Sequence, residues 1–458
     1  MTTSAVLLGL LFGALMLLAG PSVGILTPVA IAVMAFVLTR PIRGLLLFCL
    51  LAPALPWMTI TLGARITTSE AILGLTWMGI FLQWFRGHAA SWPKGDTERA
   101  MVRFMAWSIV PLVAGQFIPE GDGVGPVNWV RWLLNVSPVF LVPILVRDAR
   151  TRQQVLLSLL LGFAALLLIS LGFFAKGRDA RQMVPFLTAL QYAHPEVIAD
   201  IFGADPGRMA SPWVHPNSTG GALLLAAPLG LFYGVVNRGW RRALGWFVAL
   251  GGTAGIVFCG SRGALLCLGL FVVWLAWKRT PYAGRGLLVS MLLAGAFLAI
   301  YPPAQQRFAS LFSSNDVSTG VRFDEYTHFP ANALKYPLGL GFKAETPASS
   351  PEKQIYGISN LWLNYWFKLG LPGMLLFIAV TRAWWREVAI AGQFRVVNAG
   401  NAMRIATVGT VLAALATGFI DHYFSFTQVL ISLFWLMLAL GLQYARAAHS
   451  DQATGDRV

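Results

Sequence analysis

The residues able to do chemistry fall in five short stretches. Arg208, His215 and Asn217 lie in one polar stretch that runs through Pro216 into an apolar segment. Gly260-Ser261-Arg262-Gly263-Ala264 is a tight polar break between two apolar runs. Arg322, Asp324, Glu325, Tyr326 and His328 crowd a later polar segment. Ser359 and Asn360 open a further apolar run that carries Lys368 inside it, and Asp421-His422 ends another. Arginine suits phosphate because its planar fork bonds bidentately and stays charged. Arg208, Arg262 and Arg322, each beside an expected helix end, would suit a diphosphate. Each also has a plainer reading. Arg262 fits a snorkelling anchor at a turn, and Arg322 a loop ion pair with Asp324 or Glu325. Lys368 either faces an anionic group in a cavity or pairs with a carboxylate. His215 fits a residue that starts a helix, and Arg131, between Trp129 and Trp132, an aromatic-belt anchor. Asp324, Glu325, His328, His215 and His422 are the groups able to take a proton from a hydroxyl. The first three are favoured because they share a segment with Arg322.

Whatever positions these residues is apolar. Of 458 residues, 57% are hydrophobic and 12% are charged, where a soluble domain carries about 25% charged residues. The mean hydropathy is +0.66. This excludes a soluble enzyme, a disordered chain and a disulfide scaffold, and predicts an all-α, polytopic integral membrane protein. Fourteen apolar runs fit spans, from Ser4–Gly20 to Phe426–Ala445. They include Gly44–Leu62, Met101–Ile118, Val127–Val146, Ile358–Val380 and Ile405–His422. Ser4–Gly20 has no basic leader or clear cleavage site and is expected to stay as a helix. Cys49, Cys259 and Cys267 lie inside apolar runs without metal-ligand spacing, and are expected to be buried and unpaired.

The net charge is +15. With the N-terminus cytoplasmic, alternate connections hold Arg40/Arg43, Arg86/Lys94/Arg99/Arg103, Arg147/Arg150/Arg152, Arg238/Arg241/Arg242, Lys278/Arg279/Arg285, Arg382/Arg386/Arg395/Arg404 and Arg446/Arg457. With the acids of the same connections, these account for the whole net charge, so it is a positive-inside signal and needs no nucleic acid. Both termini are expected inside. The organisation read from this is spans over 1–174, a long outer loop over 175–216 and spans over 217–301. A second long outer loop over 302–358 then leads to the last spans and a tail over 359–458. Val197, Ile198, Ile201 and Phe202 share a helical face in the first loop, and Phe323, Tyr326 and Pro330 punctuate a helix-like stretch in the second. Such pieces suit the membrane–water boundary. There is no P-loop, GxSxG or HExxH motif, and no internal repeat.

Several of these pieces occur in a recognisable order. His215-Pro216-Asn217 precedes the Gly260–Ala264 turn and the long loop with Arg322. Pro337-Leu-Gly339-Leu-Gly341, Asn360 and Leu369-Gly370-Leu371-Pro372-Gly373 follow. The ordered set, over about 208–373, resembles the O-antigen ligase and Wzy-type polysaccharide polymerase superfamily. The resemblance implies a GT-C-type, all-helical fold of about 14 transmembrane helices in the bacterial inner membrane, with two long periplasmic loops. It implies a periplasmic glycosyltransferase that uses an undecaprenyl-diphosphate-linked oligosaccharide as donor, with no metal and no cofactor.

By position, Arg262 and Arg322 would engage the donor diphosphate. Asp324, Glu325 or His328 would complete the catalytic set, and Arg208, His215, Asn217, Ser359, Asn360 and Lys368 would contact substrate. In the ligases a His-Asn pair opens the late span, and its His is held to assist the acceptor hydroxyl. This chain has Ser359 there, before Asn360, and a serine is no base near neutral pH without help. The departure favours a polymerase that extends a second lipid-linked repeat. The alternatives are a ligase acting on lipid A core or another acceptor, and a flippase or transporter. Membrane lipids are implied partners, nucleic acid is not, and a chain-length co-polymerase is left open.

Overall fold

The computed structural model describes residues 21–458 apart from 63, 89–90, 119–123, 178–179, 190–206, 211, 301–304, 306–316, 344–357, 390–393 and 456–458. The expected span Ser4–Gly20, the Val197–Phe202 stretch and Arg457 lie outside the described residues. The rest is mostly helical, as apolar runs of this length require when backbone groups must be satisfied internally.

In chain order the first elements are α1 (Pro21–Thr39), α2 (Pro41–Ala54), β1 (Thr59–Leu62), β2 (Ala64–Thr67), α3 (Thr68–Phe85), α4 (Asp96–Trp107) and α5 (Ile109–Gln116). Then come α6 (Gly125–Val136), α7 (Pro138–Leu145), α8 (Ala149–Ala175), α9 (Val184–Ala189), α10 (Pro216–Val236), α11 (Gly239–Cys259) and α12 (Arg262–Trp277). The chain ends with α13 (Ala283–Ile300), α14 (Val317–Lys335), α15 (Leu361–Val388), α16 (Ala402–Thr417), α17 (Tyr423–Phe426) and α18 (Gln428–Gly455). Among the described residues, six stretches are long and apolar enough to cross a membrane: Gly125–Leu145, Ala149–Ala175, Pro216–Val236, Gly239–Cys259, Leu361–Val388 and Gln428–Ala448. Thr27–Thr39, Pro41–Ala54, Arg262–Trp277 and Ala402–Thr417 are shorter apolar helices.

The differences from the expected spans have local causes. The run Gly44–Leu62 stops as helix at Ala54. Pro56 disfavours helical backbone at Leu55, which has φ −131° and ψ 59°, and a hairpin follows in which Thr59 faces Thr67 and Ile60 faces Ile66. Met101–Ile118 is divided at Ser108, and Val127–Val146 at Ser137. Each serine hydroxyl donates to a carbonyl of the preceding turn, Met105 at 2.6 Å and Leu134 at 2.7 Å. Each also accepts from an indole, Trp129 on Ser108 at 2.9 Å and Trp77 on Ser137 at 2.8 Å. Ile405–His422 ends as helix at Thr417, which leaves Asp421 and His422 in a turn. The expected helix-like stretch around Phe323 and Tyr326 is α14.

Arg131 is not a belt anchor. Its Nε donates to the fully buried Glu70 carboxylate at 3.0 and 3.2 Å. Glu70 also accepts from Asn135 and from the Thr67 backbone N–H in a capping box. A buried carboxylate needs this many partners, and the nearby tryptophans are secondary. The three cysteines are buried and free. The core runs along α10 and α18, whose inner residues are almost all buried.

Candidate active site at the helix starts

One joint in the backbone sets the geometry. Within α15, Gly370 has φ 70° and ψ 173°, a region open essentially to glycine alone. Pro372 follows and has no N–H to give. The carbonyls freed at the break are each taken up. Leu340 N–H donates to Phe367 O and Gly341 N–H to Lys368 O, both at 2.9 Å, and Trp107 Nε1 donates to Leu369 O at 2.8 Å. The Pro337–Gly341 and Leu369–Gly373 motifs are therefore two halves of one contact. A Cβ on Gly339 would strike the Gly370 and Lys368 backbone. The joint fixes where α14 and the start of α15 sit.

The starts of α10, α12 and α15 meet around the 418–422 turn. His215 caps α10, its Nδ1 accepting from the Asn217 N–H at 3.2 Å. Gly260, at φ 61°, ends α11 in the left-handed conformation that favours glycine, Ser261 stands at the cap position of α12, and Arg262 begins it. Gly263 lies against Ile420 and Thr417, which puts the half-buried Arg262 beside the turn. Asn360 caps α15, accepting from the Trp362 and Leu363 N–H groups at 3.0 Å, while the Leu361 N–H donates to Gly418 O at 2.7 Å. Helix starts carry partial positive charge and favour anions nearby.

Asp421 is the centre of this arrangement. Arg322 Nη2 lies 3.7 Å from its Oδ2, and Asn217 Nδ2 donates to the same oxygen at 3.4 Å. Its Oδ1 accepts from the His422 N–H at 2.8 Å and lies 3.5 Å from His422 Nδ1, within ion-pair distance but not hydrogen-bonded to it. Burial pushes the Asp421 carboxyl up, but the His422 contacts and the Arg322 charge outweigh it, and its pKa is lowered. Burial lowers His215 to about 4, with Arg208 and His422 acting the same way and Asp421 against them. His215 is thus neutral near pH 7. Its Nδ1 is already an acceptor, so its Nε2 carries the proton.

The structure separates the remaining expected residues. Arg208 Nε donates to Cys259 O at 2.7 Å and Nη2 to Asn217 Oδ1 at 2.9 Å. It ties the end of α11 to the start of α10. Glu325, expected in the catalytic set, instead accepts from the Ser359 N–H at 2.8 Å and the Ser359 hydroxyl at 3.1 Å. Next to it Asn360 Nδ2 donates to Tyr326 Oη at 3.1 Å. Arg322 pairs with Asp421 and not with the carboxylates of its own helix, since Glu325 points at Ser359. Asp324 and His328 lie on the exposed face of α14, where His328 Nδ1 meets the Asp324 carbonyl at 2.7 Å. Lys368 lines a cavity together with Ser425 and Phe426 of α17. Asp421 as the centre was not foreseen. The one signal for it was an Asp-His pair at the end of an apolar run.

Residues 246–378 match the O-antigen ligase family (Wzy_C). Under a third of the chain is covered, from within α11 to within α15. The match bears out the resemblance to the O-antigen ligase and Wzy-type superfamily over that part. It takes in Arg262, Arg322, Glu325, Ser359 and Lys368, and leaves Arg208, His215 and Asp421-His422 outside it. Comparison with curated proteins finds no match.

Proposed function

With an O-antigen ligase domain at 246–378 as the premise, we propose that this membrane protein is a polysaccharide polymerase. It transfers a glycan from undecaprenyl diphosphate to a hydroxyl of a second lipid-linked repeat unit, on the periplasmic face of the inner membrane. The observation that carries this reading is the meeting of Arg322 and the Arg262 helix start at the Asp421-His422 turn.

Arg262 and Arg322 hold the donor diphosphate and stabilise the charge that grows on it as the sugar–oxygen bond breaks. The sugar passes through an oxocarbenium-like state, and the acceptor oxygen bonds to its anomeric carbon. The acceptor proton goes to His422 Nε2. The Asp421 charge, 3.5 Å from Nδ1, favours the proton there and leaves Nε2 as the acceptor. The lowered Asp421 pKa keeps its carboxylate charged for that task.

Ser359 is a poor substitute for the ligase histidine, because both its N–H and its hydroxyl donate to Glu325. That supports polymerase over ligase. The description of the matched family supports the ligase reading, in which the acceptor is lipid A core.

The test in cells uses Arg322→Ala and Arg262→Ala. Polymer should disappear while lipid-linked repeats accumulate on the periplasmic side. Accumulation on the cytoplasmic side would instead identify a flippase, and unchanged polymer would remove the arginines from the mechanism.

A further inference from the structure

A second cationic site is linked to the arginines by contacts through Phe426, His422 and Asp421. A cavity of about 200 Å³ is bounded by α6, the 342–343 segment, α15 just before its break, and the α17–α18 junction. Two ammonium groups, Lys343 and Lys368, line it with Asn128, Ser425, Phe426 and Gln428. Lys343 Nζ also donates to the Ile118 carbonyl, which ties it to the wall. Asn128 Nδ2 is held by Phe342 O at 3.0 Å, and Gln428 Oε1 accepts from Asn135 at 3.0 Å. The Gln428 amide N–H groups are thereby turned outward as donors. Ionisable groups set within a membrane bundle face a cavity or partner, and two ammonium groups with an amide donor select an anion.

The position of the cavity gives the anion a role. Phe426 forms one wall. Lys368 Nζ lies 5.2 Å from its ring centroid, and the His422 ring 4.8 Å from it. Lys368, Phe426, His422, Asp421 and Arg322 are thus linked by one chain of contacts. We propose that this cavity holds the phosphate of the acceptor, a phosphate-linked sugar, at the other end of this chain of contacts from the donor diphosphate. The proposal rests on the polymerase reading, in which both substrates carry a lipid diphosphate. It adds that the protein has two separate phosphate sites.

The test counts bound farnesyl diphosphate by native mass spectrometry and calorimetry, with the full chain in neutral phosphatidylcholine nanodiscs. Wild type should bind two equivalents. Lys343→Met/Lys368→Met should weaken one of them at least tenfold, Lys343→Arg/Lys368→Arg should keep it, and Arg262→Ala/Arg322→Ala should lose the other. The lysine-dependent equivalent should be displaced by inorganic diphosphate and not by farnesol. Equal stoichiometry in wild type and the lysine-to-methionine variant would overturn the proposal, as would displacement by farnesol alone or a wild type that binds one equivalent. If the arginine variant kept both equivalents while the methionine variant lost one, the donor assignment would fail and the lysine site would stand.

Discussion

Asp421 is charged, partly buried and shared between Arg322 and His422, so small changes there should act on both. His422→Ala should lower turnover by about 10²–10⁴-fold, the usual contribution of a general base, with donor binding retained. Asp421→Asn should lower turnover and also weaken donor binding, because it releases Arg322 as well. Equal kinetics for wild type and His422→Ala would remove the imidazole from the reaction. The titration of His215 gives a stability prediction. Its folded pKa is lowered to about 4 from an ordinary 6.5, so between those values the unfolded chain binds a proton that the folded one does not. The group therefore costs stability as pH falls from 6.5 to 4. His215→Asn keeps a capping oxygen and should flatten the fall of the thermal midpoint across that window. The arginines were legible as residues, since their type and their place in short polar stretches limit what they do. The pairing of Arg322 was not. Its own helix offers two carboxylates, and only the docking of Glu325 on Ser359 shows why Asp421 takes its place.

At the scale of elements, the broken helix α15 decides where both proposed phosphate sites lie. Gly370→Ala would place a Cβ 2.7 Å from Pro337 O in a conformation closed to alanine. It should cost about 1–3 kcal/mol, seen as a lowered unfolding midpoint in detergent, and should shift Lys368 with it. Trp107→Phe leaves the Leu369 carbonyl without its indole donor and should cost about 1–3 kcal/mol while keeping the aromatic packing. No change in midpoint for either variant would mean that the joint is not under the constraint described. The sequence shows both glycine-rich motifs, but their separation hides that one closes the break in the other. The divisions at Ser108 and Ser137 were equally hidden, because a hydroxyl that bonds back to its own turn leaves hydropathy unchanged.

For the whole molecule, the end away from the site is held by Arg446. It reaches Glu98 at 2.6 Å and Glu387 at 2.7 Å and so joins α4, α15 and α18. Arg446→Ala leaves an almost fully buried Glu98 unpaired and should destabilise by about 2–4 kcal/mol without altering the pH dependence of turnover. Composition and apolar runs made the membrane class legible, and the alternation of charge is consistent with Arg446, Glu98 and Glu387 sharing one end. The number of spans was not legible at the same level. The described residues carry six long apolar stretches and several short or divided ones, because packing among helices tolerates pieces too short to stand out alone. The central claim is that the chain joins one lipid-linked glycan to another. Its most direct test supplies the purified protein in nanodiscs with lipid-diphosphate-linked repeat units alone and resolves the products by length. A ladder of lengthening lipid-linked glycans, absent with Arg322→Ala and Arg262→Ala, is the predicted result. The absence of any ladder, with a single conjugate formed only when lipid A core is added, would contradict the polymerase and make the protein a ligase.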